Sequence, residues 1–85
     1  MIEKYSMIFP QLRQLDDEQL RNNYSAHIIH NINYIISKSS KEKSEELKKL
    51  LSVIESYKGY FTLEELIQQG FNEENFYNQL KEALL

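Results

Sequence analysis

The 85-residue chain contains no cysteine, one proline and two glycines. Without cysteine there are no disulfide staples, no thiolate zinc site and no thiol nucleophile. That composition suits a reducing compartment, and a cytoplasmic location is expected. Sandwiches and barrels need frequent turns, and turns use Gly and Pro. So few breakers point instead to long helices joined by short loops. Long apolar runs are also missing: stretches such as Met7-Ile8-Phe9 are three residues long, against the ~20 that a membrane-spanning helix needs. The opening Met1-Ile2-Glu3-Lys4-Tyr5 lacks the basic and apolar regions of a signal peptide. Positive charge is in short supply, with ten Lys and Arg against thirteen Asp and Glu and a formal net charge of −3. The chain therefore has no general electrostatic attraction for nucleic acid or anionic lipid.

What is present is enough for one folded domain over residues 1–85. Hydrophobic residues make up 41% of the chain, including six Tyr and four Phe. This is ordinary for a globular protein and unlike a disordered one. Three segments share one local signature, in which a capping side chain and acidic residues lie between two apolar residues: Leu15-Asp16-Asp17-Glu18-Gln19-Leu20, Phe61-Thr62-Leu63-Glu64-Glu65-Leu66 and Phe71-Asn72-Glu73-Glu74-Asn75-Phe76. Each reads as a helix start: the second residue caps an unpaired backbone N–H, and the outer pair forms a hydrophobic staple. Their carboxylates also suit the positive end of the helix dipole.

Apolar periodicity predicts a central helix over about residues 17–37. Leu20, Tyr24, Ile28, Ile29, Ile32, Ile35 and Ile36 occupy one half of it, interrupted by Arg21, Ser25 and Asn31. Intrinsic propensity does not favour so many Ile, so packing must hold this helix. After a Ser-rich loop, a second helix over about 41–57 carries the narrower stripe Leu47, Leu50, Leu51, Ile54 and Tyr57, with charged outer faces. A turn at Lys58–Phe61 leads into a helical hairpin over about 62–84, with Gly70 at its corner. Residues 1–15 are expected to form a short helix, a break at Pro10 and a further turn, with Met7, Ile8 and Phe9 buried. The expected fold is an all-α compact bundle of four to five helices.

The sequence offers little for chemistry. His27 and His30 lie one helical turn apart, but the His-Glu-x-x-His pattern is absent and no acidic residue lies within a turn of them. Ser25 is two residues from His27, so their side chains leave a helix in different directions. There is no Gly-rich phosphate loop, and the paired carboxylates fall at helix starts. No catalytic residue, metal or cofactor is expected, and the chain reads as a non-enzyme.

Function is then expected to lie on the surface. Residues 59–85 hold five Glu against Lys81 alone, a local net charge of −4. Glu65 is assigned to capping, while Glu64, Glu73, Glu74 and Glu82 are free to meet a basic protein partner. On that reading, reversing Glu73 and Glu74 to Lys slows association and leaves the fold intact. A second candidate face is Tyr34 with His27 and Asn23, which points away from the apolar half of the central helix and has the composition of a binding surface. The expected function is that of a small acidic protein-binding protein, an inhibitor or immunity-type blocker of a larger target. Richness in Asn, Ile, Lys and Tyr suggests an AT-rich bacterial or phage genome. Two alternatives remain open. The 62–84 hairpin resembles a helix-turn-helix in outline, which implies a nucleic-acid or transcription regulator, although its second helix begins Asn72-Glu73-Glu74-Asn75. The chain also reads as a self-associating subunit of a homo-oligomer.

Overall fold

The computed structural model describes residues 1–85. It contains six α-helices: α1 (Ile2–Ile8), α2 (Asp17–Asn22), α3 (Tyr24–Lys38), α4 (Lys41–Glu55), α5 (Leu63–Gln68) and α6 (Glu73–Leu84), with a 3-10 turn at Pro10–Gln14 between the first two. There is no strand, and the expected all-α bundle is borne out.

The helix starts follow from their capping chemistry. Asp16 accepts the Gln19 N–H at 2.8 Å while the Gln19 side chain accepts the Asp16 N–H at 3.0 Å, a complete capping box. Thr62 and Glu65 form a second box at the head of α5. The Asn72 side chain accepts the Asn75 N–H at 3.0 Å at the head of α6, and Ser40 caps α4. The staple before α6 is real, with the Phe71 and Phe76 rings 5.1 Å apart. Helix α5 ends where Gly70 takes φ +97°. There the Phe71 N–H donates to the Leu66 carbonyl and the Gly70 N–H to the Ile67 carbonyl, both at 3.0 Å, the paired bonds of a glycine C-cap.

The expected continuous helix over residues 17–37 is two helices. The chain breaks at Asn23, which takes φ −144° and ψ 44°. The cause is a long-range competitor for a backbone donor. The Ser25 N–H, which in an unbroken helix would reach the carbonyl of Arg21, donates to the Phe61 carbonyl at 3.1 Å. The break leaves the apolar face intact, since Leu20, Tyr24, Ile28 and Ile32 are all fully buried.

Helix α3 packs mainly on α4, joined to it by Ser39 and Ser40, and α4 packs in turn on α6. The core runs between these helices through Ile28, Ile32, Leu47, Ile54, Leu66 and Leu80. Polar side chains that enter it are satisfied: the Asn31 amide donates to the His27 carbonyl at 2.8 Å, and the Ser44 hydroxyl to the Ile36 carbonyl at 3.2 Å. At the N-terminus Ile8 and Phe9 are buried as expected. Met7 is not: it is 65% exposed, because one helical turn of α1 cannot direct three consecutive residues inward.

Ile32 is fully buried in the middle of α3, against α4. Ile32→Ala is expected to destabilise the fold by about 2–4 kcal/mol through lost burial and the cavity left behind. Lys49→Ala, on the outer side of α4, should change stability by no more than about a few tenths of a kcal/mol. Urea denaturation of the two variants checks the ranking, and a loss below about 1 kcal/mol for Ile32→Ala would show that α3 is not central.

Candidate functional site

The most organised polar group in the molecule joins three helices that are distant in sequence. From α1, the Tyr5 hydroxyl donates to Glu73 Oε2 of α6 at 2.6 Å. The Tyr24 hydroxyl of α3 lies 2.6 Å from that of Tyr5. Because Tyr5 gives its one proton to the carboxylate, Tyr24 is the donor of that second bond. Lys4 Nζ pairs with Glu73 Oε2 at 2.9 Å and lies 4.6 Å from the centre of the Tyr77 ring. The Tyr77 hydroxyl donates to the Lys4 carbonyl at 3.0 Å. The Tyr5 ring stands edge-on to both Tyr24 and Tyr77. Burial, reinforced for Tyr5 by Tyr24 and Glu73, raises the pKa of both Tyr5 and Tyr24 well above the ordinary phenol value. Both phenols are therefore neutral hydrogen-bond donors. Tyr5 and Tyr24 are fully buried, and the network ties α1, α3 and α6 together as a clamp.

This geometry corrects the reading of Glu73 as a free surface charge. Its side chain is 17% exposed and serves Lys4 and Tyr5. Glu73→Lys would set an ammonium against Lys4, so that reversal does not leave the fold untouched. Glu64 is also engaged, with Oε1 taking Arg21 Nη2 at 2.6 Å and Nε at 2.9 Å. Glu74 is exposed beside Asn72, Asn75 and Asn78. Glu82 is exposed at a groove between α4 and α6 with Glu46, Lys49 and Gln79. The four carboxylates thus face different neighbours and do not form one acidic surface. The expected helices α5 and α6 follow one another across Gly70, but α5 packs on α2 while α6 packs on α4 and α1; the exposed side of α6 carries Glu74, Asn78, Lys81 and Glu82.

The second candidate face holds together better. His27 and Tyr34 are seven residues apart on α3 and so share one side of it. His27 is half-buried, and Tyr34 is 44% exposed with Lys38 Nζ 5.2 Å from its ring centre. Asn23 lies at the helix break, outside the regular helix. No cluster of three or more His, Asp or Glu side chains is placed to hold a metal ion.

Sequence reasoning missed a cleft of about 390 Å³ between α2 and α5, lined by Asp17, Glu18, Arg21, Asn22 and Glu64. Glu64 takes the Arg21 guanidinium, Asp17 the N-terminal ammonium at 3.6 Å, and Glu18 has no ion-pair partner. The Ile2 N–H, donating at 2.7 Å, holds Asp17 below the usual carboxylate range. Glu64 is lowered by its own backbone N–H in the first turn of α5, then by Arg21. Both are ionised at neutral pH, Asp17 beside the N-terminal ammonium and Glu64 beside Arg21. The cleft's local signal, acidic residues at the heads of two short helices, was visible. The pairing of Arg21 with Glu64, 43 positions apart, was not.

The clamp makes two measurable demands. Tyr5→Phe removes the donor to Glu73 and strands the Tyr24 hydroxyl, and should cost about 1–3 kcal/mol. Tyr77→Phe loses one neutral bond and should cost about 0.5–1.5 kcal/mol. Because both raised phenols stay neutral in the folded state, their contribution is complete below about pH 10, where unfolded tyrosine begins to ionise, and declines as pH rises beyond it. Alkaline titration followed by circular dichroism and phenolate absorbance should show Tyr5 ionising only as helix is lost. A phenolate step absent from Tyr5→Phe but preceding unfolding in the parent chain would contradict the arrangement.

No family model, no curated protein and no solved structure matches this chain.

Proposed function

We propose that the protein is a non-catalytic binding module that blocks a larger protein by engaging a basic patch on it. The observation that carries this reading is the α2–α5 cleft, an open recess lined only by polar and charged residues, where the carboxylates of Asp17, Glu18 and Glu64 outnumber the Arg21 guanidinium and the N-terminal ammonium beside Asp17. Such a recess complements Lys or Arg side chains of a partner. Charges at an interface of this kind steer association and set its salt dependence more than they set final affinity. The organised polar chemistry elsewhere, the Glu73 clamp, is consumed in holding the fold. A nucleic-acid role has less support, since the exposed side of α6 offers phosphates Glu74 and Glu82 against Lys81.

The test starts with capture of a stoichiometric protein partner by the full chain, followed by association kinetics with that partner. Glu18→Lys combined with Glu64→Gln should slow association by about tenfold or more at low salt and flatten its dependence on ionic strength. Glu74→Lys with Glu82→Lys, and separately His27→Ala with Tyr34→Ala, should have smaller effects. An on-rate indifferent to salt and to the first pair of substitutions would overturn the assignment, and the variant that does slow binding then marks the true face.

A further inference from the structure

The turn from Glu55 to Phe61 carries an apolar surface that neither the core nor the acidic cleft uses. Phe61, expected to staple α5, is instead 58% exposed. The exposure is built in, because the Phe61 carbonyl accepts the Ser25 N–H at 3.1 Å and so pins the backbone of the turn against the head of α3. Gly59, at φ +87°, provides the left-handed corner that brings Tyr60 and Phe61 round. The Phe61 ring forms one wall of a groove of about 300 Å³ whose other apolar walls are Ile29, Tyr57 and Tyr60, with the buried core residue Ile54 at its floor. Glu55 and Lys58 stand at its rim, and neither is paired with another charge in the chain.

We propose that the occupant of this groove is a second copy of the same chain, each copy seating its Phe61 ring in the groove of the other about a two-fold axis. Charge complementarity selects this partner. In a two-fold interface a residue meets its opposite number reciprocally, so Glu55 of each copy meets Lys58 of the other and both rim charges are satisfied twice. The balance also matters at longer range. The chain carries a net charge of −3, so two copies repel wherever their acidic surfaces approach. The rim of this groove holds one charge of each sign, and copies can meet here without opposing their own excess. An aromatic turn held rigid by a backbone hydrogen bond loses little freedom on docking. A standard interface takes roughly 800 Å² from each partner, a large share of the 5402 Å² surface of so small a protein. A patch centred on one turn offers less, so the dimer is a weak one that forms at micromolar concentrations and above.

Sedimentation velocity of the full chain from about 10 μM to about 1 mM should show the mass moving from monomer towards dimer. Phe61→Ser should remain monomeric throughout with its helical circular dichroism unchanged, since the ring contributes little to the core. Glu55→Lys and Lys58→Glu should each weaken association, because each puts like charges opposite one another at both ends of the interface. An equimolar mixture of these two variants restores both opposite-charge pairs and should associate about tenfold more tightly than either alone. The proposal fails if the parent chain is monomeric over the whole range, if Phe61→Ser associates as the parent does, or if the mixture is no tighter than its separate components.

Discussion

The carboxylate of Glu73 ties the first helix of the chain to the last, and the closure of the bundle depends on it. Helix α1 has seven residues, too few to hold a helical conformation in water by propensity alone. It persists because Tyr5 and Ile8 enter the core and because Glu73, 68 residues away from Tyr5, receives that residue's hydroxyl. The same carboxylate pairs with Lys4, and Tyr24 joins the chain of hydroxyls from α3. A network like this is stable only when every member is satisfied, since a half-met buried polar group costs more than an apolar substitute. Here the proton order is forced. Glu73 can only accept, so Tyr5 must donate to it and Tyr24 must donate to Tyr5. A single arrangement of hydrogens fixes the relative placement of three helices, with directionality that apolar packing alone does not supply.

The clamp also shows why counting charges along a sequence misjudges a surface. The C-terminal third carries five glutamates, yet they have several different uses. Glu65 closes a capping box with Thr62, Glu73 is drawn inward, and Glu64 reaches Arg21 across to α2. What remains for a partner is set by three-dimensional neighbours, not by the local total. The acidic recess that does form is assembled from both halves of the chain, taking Asp17 and Glu18 from α2 and Glu64 from α5. Half-exposed pairs such as Arg21–Glu64 contribute little to stability, so exchanging Arg21 for another basic group at Glu64 would cost the fold little.

How much of this could be read from the sequence depends on the range of the interaction involved. Capping boxes, the Gly70 corner and the apolar faces of α3, α4 and α6 are decided within a few residues, and they appear where the pattern placed them. The break at Asn23 was invisible because its cause, the Phe61 carbonyl, lies 36 positions beyond the Ser25 N–H it captures. The burial of Glu73 was hidden for the same reason. Its own segment reads as an ordinary helix start, and only the fold reveals that Lys4 and Tyr5 arrive beside it. Phe61 misled in the opposite direction, since its place before a capping threonine suggested a staple. The staple chemistry works at Phe71, where Phe76 is within reach, and leaves Phe61 exposed where the turn is pinned to α3.

That one hydrogen bond from Ser25 to Phe61 links the architecture to the surface. It interrupts what would otherwise be one helix and lets α2 form a separate element that packs beside α5, where the acidic recess lies. It also holds the Tyr57–Phe61 turn in the conformation that presents an aromatic ring to solvent. Both proposed contact faces therefore follow from a single backbone donor leaving its helical partner. Their electrostatics keep them distinct. The recess, where acidic side chains outnumber basic groups, is the face proposed to meet a basic target. The groove beside Phe61, with one acid and one base at its rim, tolerates a like copy and offers a basic target no special attraction. Under the two proposals, self-association and target binding occupy separate surfaces of one small acidic bundle.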